Sequence, residues 1–146
     1  MADLASPWRE HPDEIETLNA EGRDCMHGHI GLEFVERGPN WLKARMPVDH
    51  RTKQPHGLLH GGASVVLSEA VASVAGSQTV DPRVGRVVGL EINANHIRPA
   101  TRGFVHGVAT PEALGRRNQV WTVRITDDAD RLVCLSRVTL AVIPPA

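Results

Sequence analysis

Residues 56–77, His-Gly-Leu-Leu-His-Gly-Gly-Ala-Ser-Val-Val-Leu-Ser-Glu-Ala-Val-Ala-Ser-Val-Ala-Gly-Ser, constrain this chain more than any other stretch. After two histidines and the Gly61-Gly62 pair, every helical position is apolar or small, and Glu69 is the single charge. A helix with no polar face is expected to be buried on all sides. It is too short and too rich in Ser and Gly to span a membrane. The rest of the chain is therefore expected to wrap it, with Glu69 inside. A buried carboxylate with no basic neighbour in sequence is costly to keep, so two readings of Glu69 stand. Either it reaches the surface or pairs with a distant arginine, or it is a tuned acid, base or nucleophile whose pKa burial raises. The glycine pair favours the second. Glycine at a helix start leaves backbone N–H groups open to close approach by an anion or a developing oxyanion.

Spacing sharpens this. His60 and Glu69 lie nine positions apart, which on a helix is about 13 Å of rise and half a turn out of phase. Side chains so placed cannot meet at one small reacting group within one chain. If they serve one site, it joins two chains across a twofold axis, so an obligate dimer is expected.

Composition excludes several functions. The chain has 146 residues, enough for one domain with a real core. A net charge of −1, from 16 basic and 17 acidic residues, argues against a nucleic-acid binder. With three Trp, two Phe and no Tyr there is no stacking platform for bases. Cys25 and Cys134 are far apart and form no CxxC, so they read as free thiols in a reducing compartment. The first residues carry Arg9, Glu10, Asp13, Glu14 and Glu16 rather than an apolar run, which does not suit a signal peptide. A cytoplasmic protein without a membrane segment is expected.

In order, residues 1–12 read as a flexible tail and 13–146 as a single domain. Pro12 to Ala20 is a short helix candidate, with Asp13, Glu14 and Glu16 in its first turn. Cys25, His27 and His29 alternate and would face one way if extended. No fourth ligand is near, so a loop lining a pocket is preferred to a metal site, and no metal or cofactor is expected. Strands are expected at 30–37 and 41–48, around the turn Gly38-Pro39-Asn40, and at 84–97, 102–110, 118–126 and 131–143. With the last four in consecutive antiparallel order, this is an α+β domain with one sheet curled around one helix.

Longer runs carry a resemblance. They are Met46-Pro47-Val48-Asp49, Arg51-Thr52-Lys53-Gln54-Pro55, Gly57 through Leu67 with Glu69, Val88 through His96, Leu114-Gly115 with Arg117, and Val120-Trp121. Over about residues 18–143 the chain resembles the hotdog-fold aryl-type acyl-CoA thioesterases. That family includes hydrolases of 4-hydroxybenzoyl-CoA and 1,4-dihydroxy-2-naphthoyl-CoA and the enterobactin proofreading thioesterase. The resemblance implies a six-stranded antiparallel sheet wrapped around one long central helix, assembled as a dimer and then a dimer of dimers. It implies Glu69 as general base or nucleophile, with the Gly61 N–H polarising the thioester carbonyl. Gln54 and His60 of the partner chain would orient the carbonyl and the hydrolytic water. Arg117, with His96 and Arg98, would hold the CoA phosphates, a task that suits Arg. Without the resemblance, Arg116-Arg117 reads as a solvated turn.

The acyl group is expected beside Ala72, Ser73, Gly76 and Ser77, small residues one and two turns past Glu69, which leave room for an aromatic ring. The competing reading is that they let two helices pack closely. His56 departs from the family, where an aromatic residue is common, and with loop 27–29 it is assigned to the surroundings of the acyl group. Two other functions compete. A hydratase of this fold would need an Asp on the central element, and none occurs between Asp49 and Asp81. A non-catalytic acyl-CoA-binding protein would have no use for Glu69. Thioesters on an aryl carrier protein are the alternative substrate.

Overall fold

Alternation of apolar and polar residues builds the sheet. In β5 (Asn118–Asp127), Gln119, Trp121, Val123 and Ile125 are buried while their neighbours face outward. β2 (Leu42–Pro47) and β4 (Phe104–Leu114) repeat the pattern, and each period of two puts one row on the core. Together with β1 (Glu33–Arg37), β3 (Arg86–His96) and β6 (Leu132–Ile143) they form one antiparallel sheet in the order β1-β2-β4-β5-β6-β3. The computed structural model describes residues 6–145. Across its concave face lies α3 (Gly61–Ser77), preceded in sequence by α1 (Ile15–Gly22) and α2 (Met26–His29). This is the architecture that the hotdog resemblance implied.

Helix α3 presents Leu67, Ser68, Val71, Ala72, Ala75 and Gly76 to the sheet, all buried. Gly76 has a packing reason: a Cβ there would come 2.5 Å from Leu140 Cδ1 and 2.6 Å from Gln119 Oε1. Leu67, Trp121, Ile125 and Leu140 are fully buried, and each such side chain contributes roughly 1.5–3 kcal/mol of burial. One polar pair sits inside this layer, where Ser136 Oγ donates to Ser68 Oγ at 2.6 Å.

Four expectations need correction. The last four strands are not consecutive in space: β3 pairs with β6, from Arg86↔Ile143 to His96↔Cys134, and lies at the sheet edge. Helix α3 occupies the space between β2 and β3 in sequence, so the chain leaves it at the far edge. The helix is also not wrapped on every side. The sheet covers one face, and Glu69 on the other is exposed. The segment Cys25–His29 is not extended but contains the helical turn α2, so its side chains do not share one face. Finally, the segment from Trp8 to Asp13 is docked rather than a loose tail. Trp8 stacks on Trp121 with centroids 6.4 Å apart and donates Nε1–H to Gly38 O at 2.8 Å. Arg9 N–H donates to Gln78 O at 2.8 Å, and Asp13 N–H to Gln78 Oε1 at 2.6 Å. Gln78 caps the C-terminus of α3, so this strap closes that end of the helix. Tying Asp13 there delays α1 until Ile15, past the Pro12 start that its acidic first turn suggested. Residues 1–5 lie outside the described residues.

The outer edge of β3 pairs with no strand among the described residues, and Val88 and Leu90 on it are exposed, Leu90 by 61%. An unpaired edge strand of eleven residues with exposed apolar side chains at Val88 and Leu90 invites another strand. Among the described residues no helix is long and apolar enough to cross a membrane.

Candidate active site

The site begins with a rigid loop. Asp49 Oδ2 accepts from Arg51 Nη2 at 2.7 Å, and its Oδ1 accepts the Arg51 N–H at 2.9 Å. Hydrogen bonding to Arg51 lowers the Asp49 pKa to about 2. The guanidinium also lies against Gly31, where a Cβ would come 2.7 Å from Nη1 and where φ is +70°. Buried Thr52 donates Oγ1–H to Pro47 O at 2.6 Å. The chain then doubles back, with Gln54 N–H donating to Leu58 O and His60 N–H to Thr52 O, both at 2.8 Å. Leu59 N–H donates to Ala100 O at 2.8 Å, which ties the hairpin to the segment after β3. These bonds fix Gln54 beside the start of α3.

At that start His60 is the N-cap. Its backbone is extended (φ −68°, ψ 131°), and Nδ1 accepts the Gly62 N–H at 2.8 Å. An accepting Nδ1 leaves the proton of a neutral ring on Nε2. With Gly62 capped, the Gly61 N–H remains an orphan donor of the first turn, without a partner among the described residues. It stands at the positive end of a 17-residue helix. A cleft of about 290 Å³ opens here, lined by Gln54, Gly61, His96 and Arg98 over an apolar floor that includes Leu59 and Val133. The His96 ring packs on Gly61, since a Cβ on that glycine would be 2.8 Å from Nε2. Gln54 Oε1 accepts the His56 N–H, which leaves the carboxamide NH₂ as its free end. The cleft thus offers two kinds of donor, a backbone N–H and an amide NH₂. A carbonyl oxygen gaining negative charge needs such donors.

Four of the nine expected site residues therefore share one cleft, and His60 stands at its rim. The other four are elsewhere. Glu69 lies eight residues beyond Gly61 on α3, about 12 Å along the axis, with its Oε1 pressed against Gly89 of β3. Ser73 is one turn further, half-buried on the same side. Arg117 sits on the β4–β5 turn, its O accepting from Val142 N–H at 2.7 Å. Val142 pairs with Val87 and Cys134 with His96, so nine strand steps, about 30 Å, separate Arg117 from the cleft. His56 is exposed at the hairpin tip and touches the site through its backbone N–H, not its ring. His27 is likewise apart, half-buried edge-on to Phe34 at 6.0 Å, and burial lowers its pKa.

The small residues past Glu69 divide. Ala72 and Gly76 face the sheet and are buried, which leaves Ser73 and Ser77 on the Glu69 side. Two residues escaped the sequence reading. Ser64, buried at the cleft, was one more small position in a small-residue run. Gly89 was quoted only within a longer match, although a lone glycine inside a strand pattern is itself a signal of close approach.

Comparison with known proteins decides the family. A model described as "Thioesterase superfamily" matches residues 56–134, from the hairpin tip through the cleft to β6. The chain belongs to the thioesterase superfamily. This thioesterase is 53% identical over 129 residues to the 1,4-dihydroxy-2-naphthoyl-CoA hydrolase of Escherichia coli, covering 88% of this chain and 94% of that one. It is 46% identical over 136 residues to the proofreading thioesterase EntH of Cronobacter turicensis, covering 92% and 97%. Among solved structures, thioesterase HI1161 of Haemophilus influenzae superposes with a TM-score of 0.90 at 46% identity, covering 94% of each chain. The thioesterase is thus an enzyme, and its reaction is hydrolysis of a thioester.

Proposed function

We propose that this thioesterase hydrolyses acyl-CoA, with aromatic acyl groups preferred, at a site that two chains complete. The observation that carries the reading is a separation. The Gly61 N–H of the cleft and the Glu69 carboxylate lie on one helix but about 12 Å apart, with a half-buried stripe of Val65, Val66 and Ser73 beside the carboxylate. A second chain packed antiparallel on that stripe and on the β3 edge brings its own cleft to Glu69. Gln54 and the Gly61 N–H of one chain then hold the carbonyl, His60 sets the donor end, and Glu69 of the other activates water or attacks the acyl carbon itself. The same pairing brings the Arg117 turn of one chain to the end of the joined sheet where His96 and Arg98 of the other lie, which assigns Arg117 to the CoA phosphates of its partner's substrate. The dimers pair again into a tetramer, and the free thiols Cys25 and Cys134 suit a cytoplasmic enzyme.

The aromatic preference rests on Ser73, and the relative named for 1,4-dihydroxy-2-naphthoyl-CoA supports it. Release of CoA, followed with a thiol reagent, should be faster from benzoyl-CoA than from palmitoyl-CoA. Ser73→Leu should lower kcat/KM on the aromatic substrate by at least ~10-fold while acetyl-CoA turnover is kept. Faster turnover of palmitoyl-CoA by the unmodified enzyme would reject the preference. An equal fall on all substrates with a lowered Tm would assign Ser73 to helix packing instead.

Arg117→Ala should raise KM for benzoyl-CoA and leave kcat nearly unchanged, because a phosphate contact is made equally in ground and transition states. Benzoyl-pantetheine has no nucleotide and should be indifferent to the change. Matching losses on both substrates would make Arg117 a structural residue.

A further inference from the structure

The carboxylate of Glu69 rests on a bare backbone. Its Oε1 lies so near the Cα of Gly89 that no Cβ fits between them, and Cδ is 3.3 Å from the Cβ position. Glycine is not required there by conformation. The glycines held at positive φ are Gly31, Gly57 and Gly103, and Gly89 is not among them. What Gly89 supplies is room, and the group that uses the room is the carboxylate. It also opens a β-bulge: Gly89 pairs with Leu140 and Glu91 with Thr139, so Leu90 has no partner in the ladder. Bulges re-aim the strand beside active sites. This one falls where Glu69 crosses β3. No ion pair among the described residues includes Glu69, so no cation competes with the strand for the carboxylate.

We infer that Gly89 is a positioning residue for the reaction: its missing side chain, at a bulge, lets the Glu69 carboxylate lie flat on β3 at the free edge of the sheet. The inference rests on the assignment of Glu69 as the base or nucleophile. Any side chain at position 89 pushes the carboxylate off the strand, toward solvent and away from the thioester. Since the displaced atoms are the far end of a flexible side chain, the fold tolerates the move. The chemistry does not.

Gly89→Ala is therefore expected to lower kcat on benzoyl-CoA by at least tenfold, with KM within about twofold and with Tm and dimer mass kept. Full kcat in that variant overturns the inference. Should Gly89→Ala misfold, the Glu69→Ala background decides. With the carboxylate gone the new methyl has space, so the double variant should fold as well as Glu69→Ala alone. Equal damage in both backgrounds would show that Gly89 serves the strand or the dimer rather than the carboxylate, and would overturn the inference too. Failure of the underlying assignment looks different, since it appears as activity retained in Glu69→Gln whatever Gly89→Ala does.

Discussion

Replacing Glu69 with glutamine should abolish most turnover while substrate still binds. The substitution keeps the shape of the side chain on Gly89 and removes its charge. General-base or nucleophilic help to water typically contributes about 10²–10⁴-fold, and a glutamine can supply neither. The loss should fall in kcat, with KM for benzoyl-CoA little changed, because the carbonyl donors at Gln54 and Gly61 are untouched. Both chemical routes predict this. In one, the carboxylate takes a proton from water as the water oxygen joins the acyl carbon, and the C–S bond then breaks as the CoA thiolate leaves and is protonated. In the other, a carboxylate oxygen joins the acyl carbon, the CoA thiolate leaves, and water then cleaves the mixed anhydride. A Glu69→Gln enzyme with more than about a tenth of the normal kcat, a barrier change below ~1.4 kcal/mol, would remove Glu69 from the chemistry.

Much of this was legible in the sequence, and the exceptions have physical causes. The strands were visible because Val, Ile and Thr alternate with polar residues, as in Gln119 to Ile125. Strand order was not. Alternation says which face of β3 is apolar but not which neighbour it takes, and β3 joins β6 at the far edge because α3 intervenes. The start of α3 was legible in part: the glycine pair pointed to open backbone N–H groups there, whereas Gln54, which lines the same cleft, was named only through the family resemblance. The placement of Glu69 was half right. Its isolation in an apolar helix marked it as special, but burial was assigned to the wrong partner: the sheet covers only the face carrying Leu67, Val71 and Ala75. The face carrying Glu69 is apolar too, which within one chain looks like an error. In the proposed two-chain site it is an interface. The docked strap from Trp8 to Asp13 was missed because its anchors, Trp121 and Gln78, are 113 and 65 residues away in sequence. Local pattern carries no information at that range.

Two damaged enzymes should repair one another. Glu69→Ala and His60→Ala, each made as a pure homodimer, should both be nearly inactive. The first lacks the carboxylate in both sites. The second lacks the cap on Gly62 and the ring beside the Gly61 donor in both, at a stability cost of about 1 kcal/mol for a lost N-cap, which leaves the fold intact. If each site takes Glu69 from one chain and His60 from the other, a mixed dimer carries one site with both residues and one with neither. Random mixing makes half the dimers mixed, and each has one working site of two, so activity should return toward about a quarter of the unmodified enzyme. If instead one chain supplied both residues, every site in every dimer would lack one of them, and mixing would recover nothing. The 12 Å of helix between Gly61 and Glu69 argues for the first case. The measurement is benzoyl-CoA turnover after co-refolding, with subunit exchange proven by mass spectrometry of differently tagged chains. Exchange without recovery would sink the two-chain site and return Glu69 to a role within its own protomer.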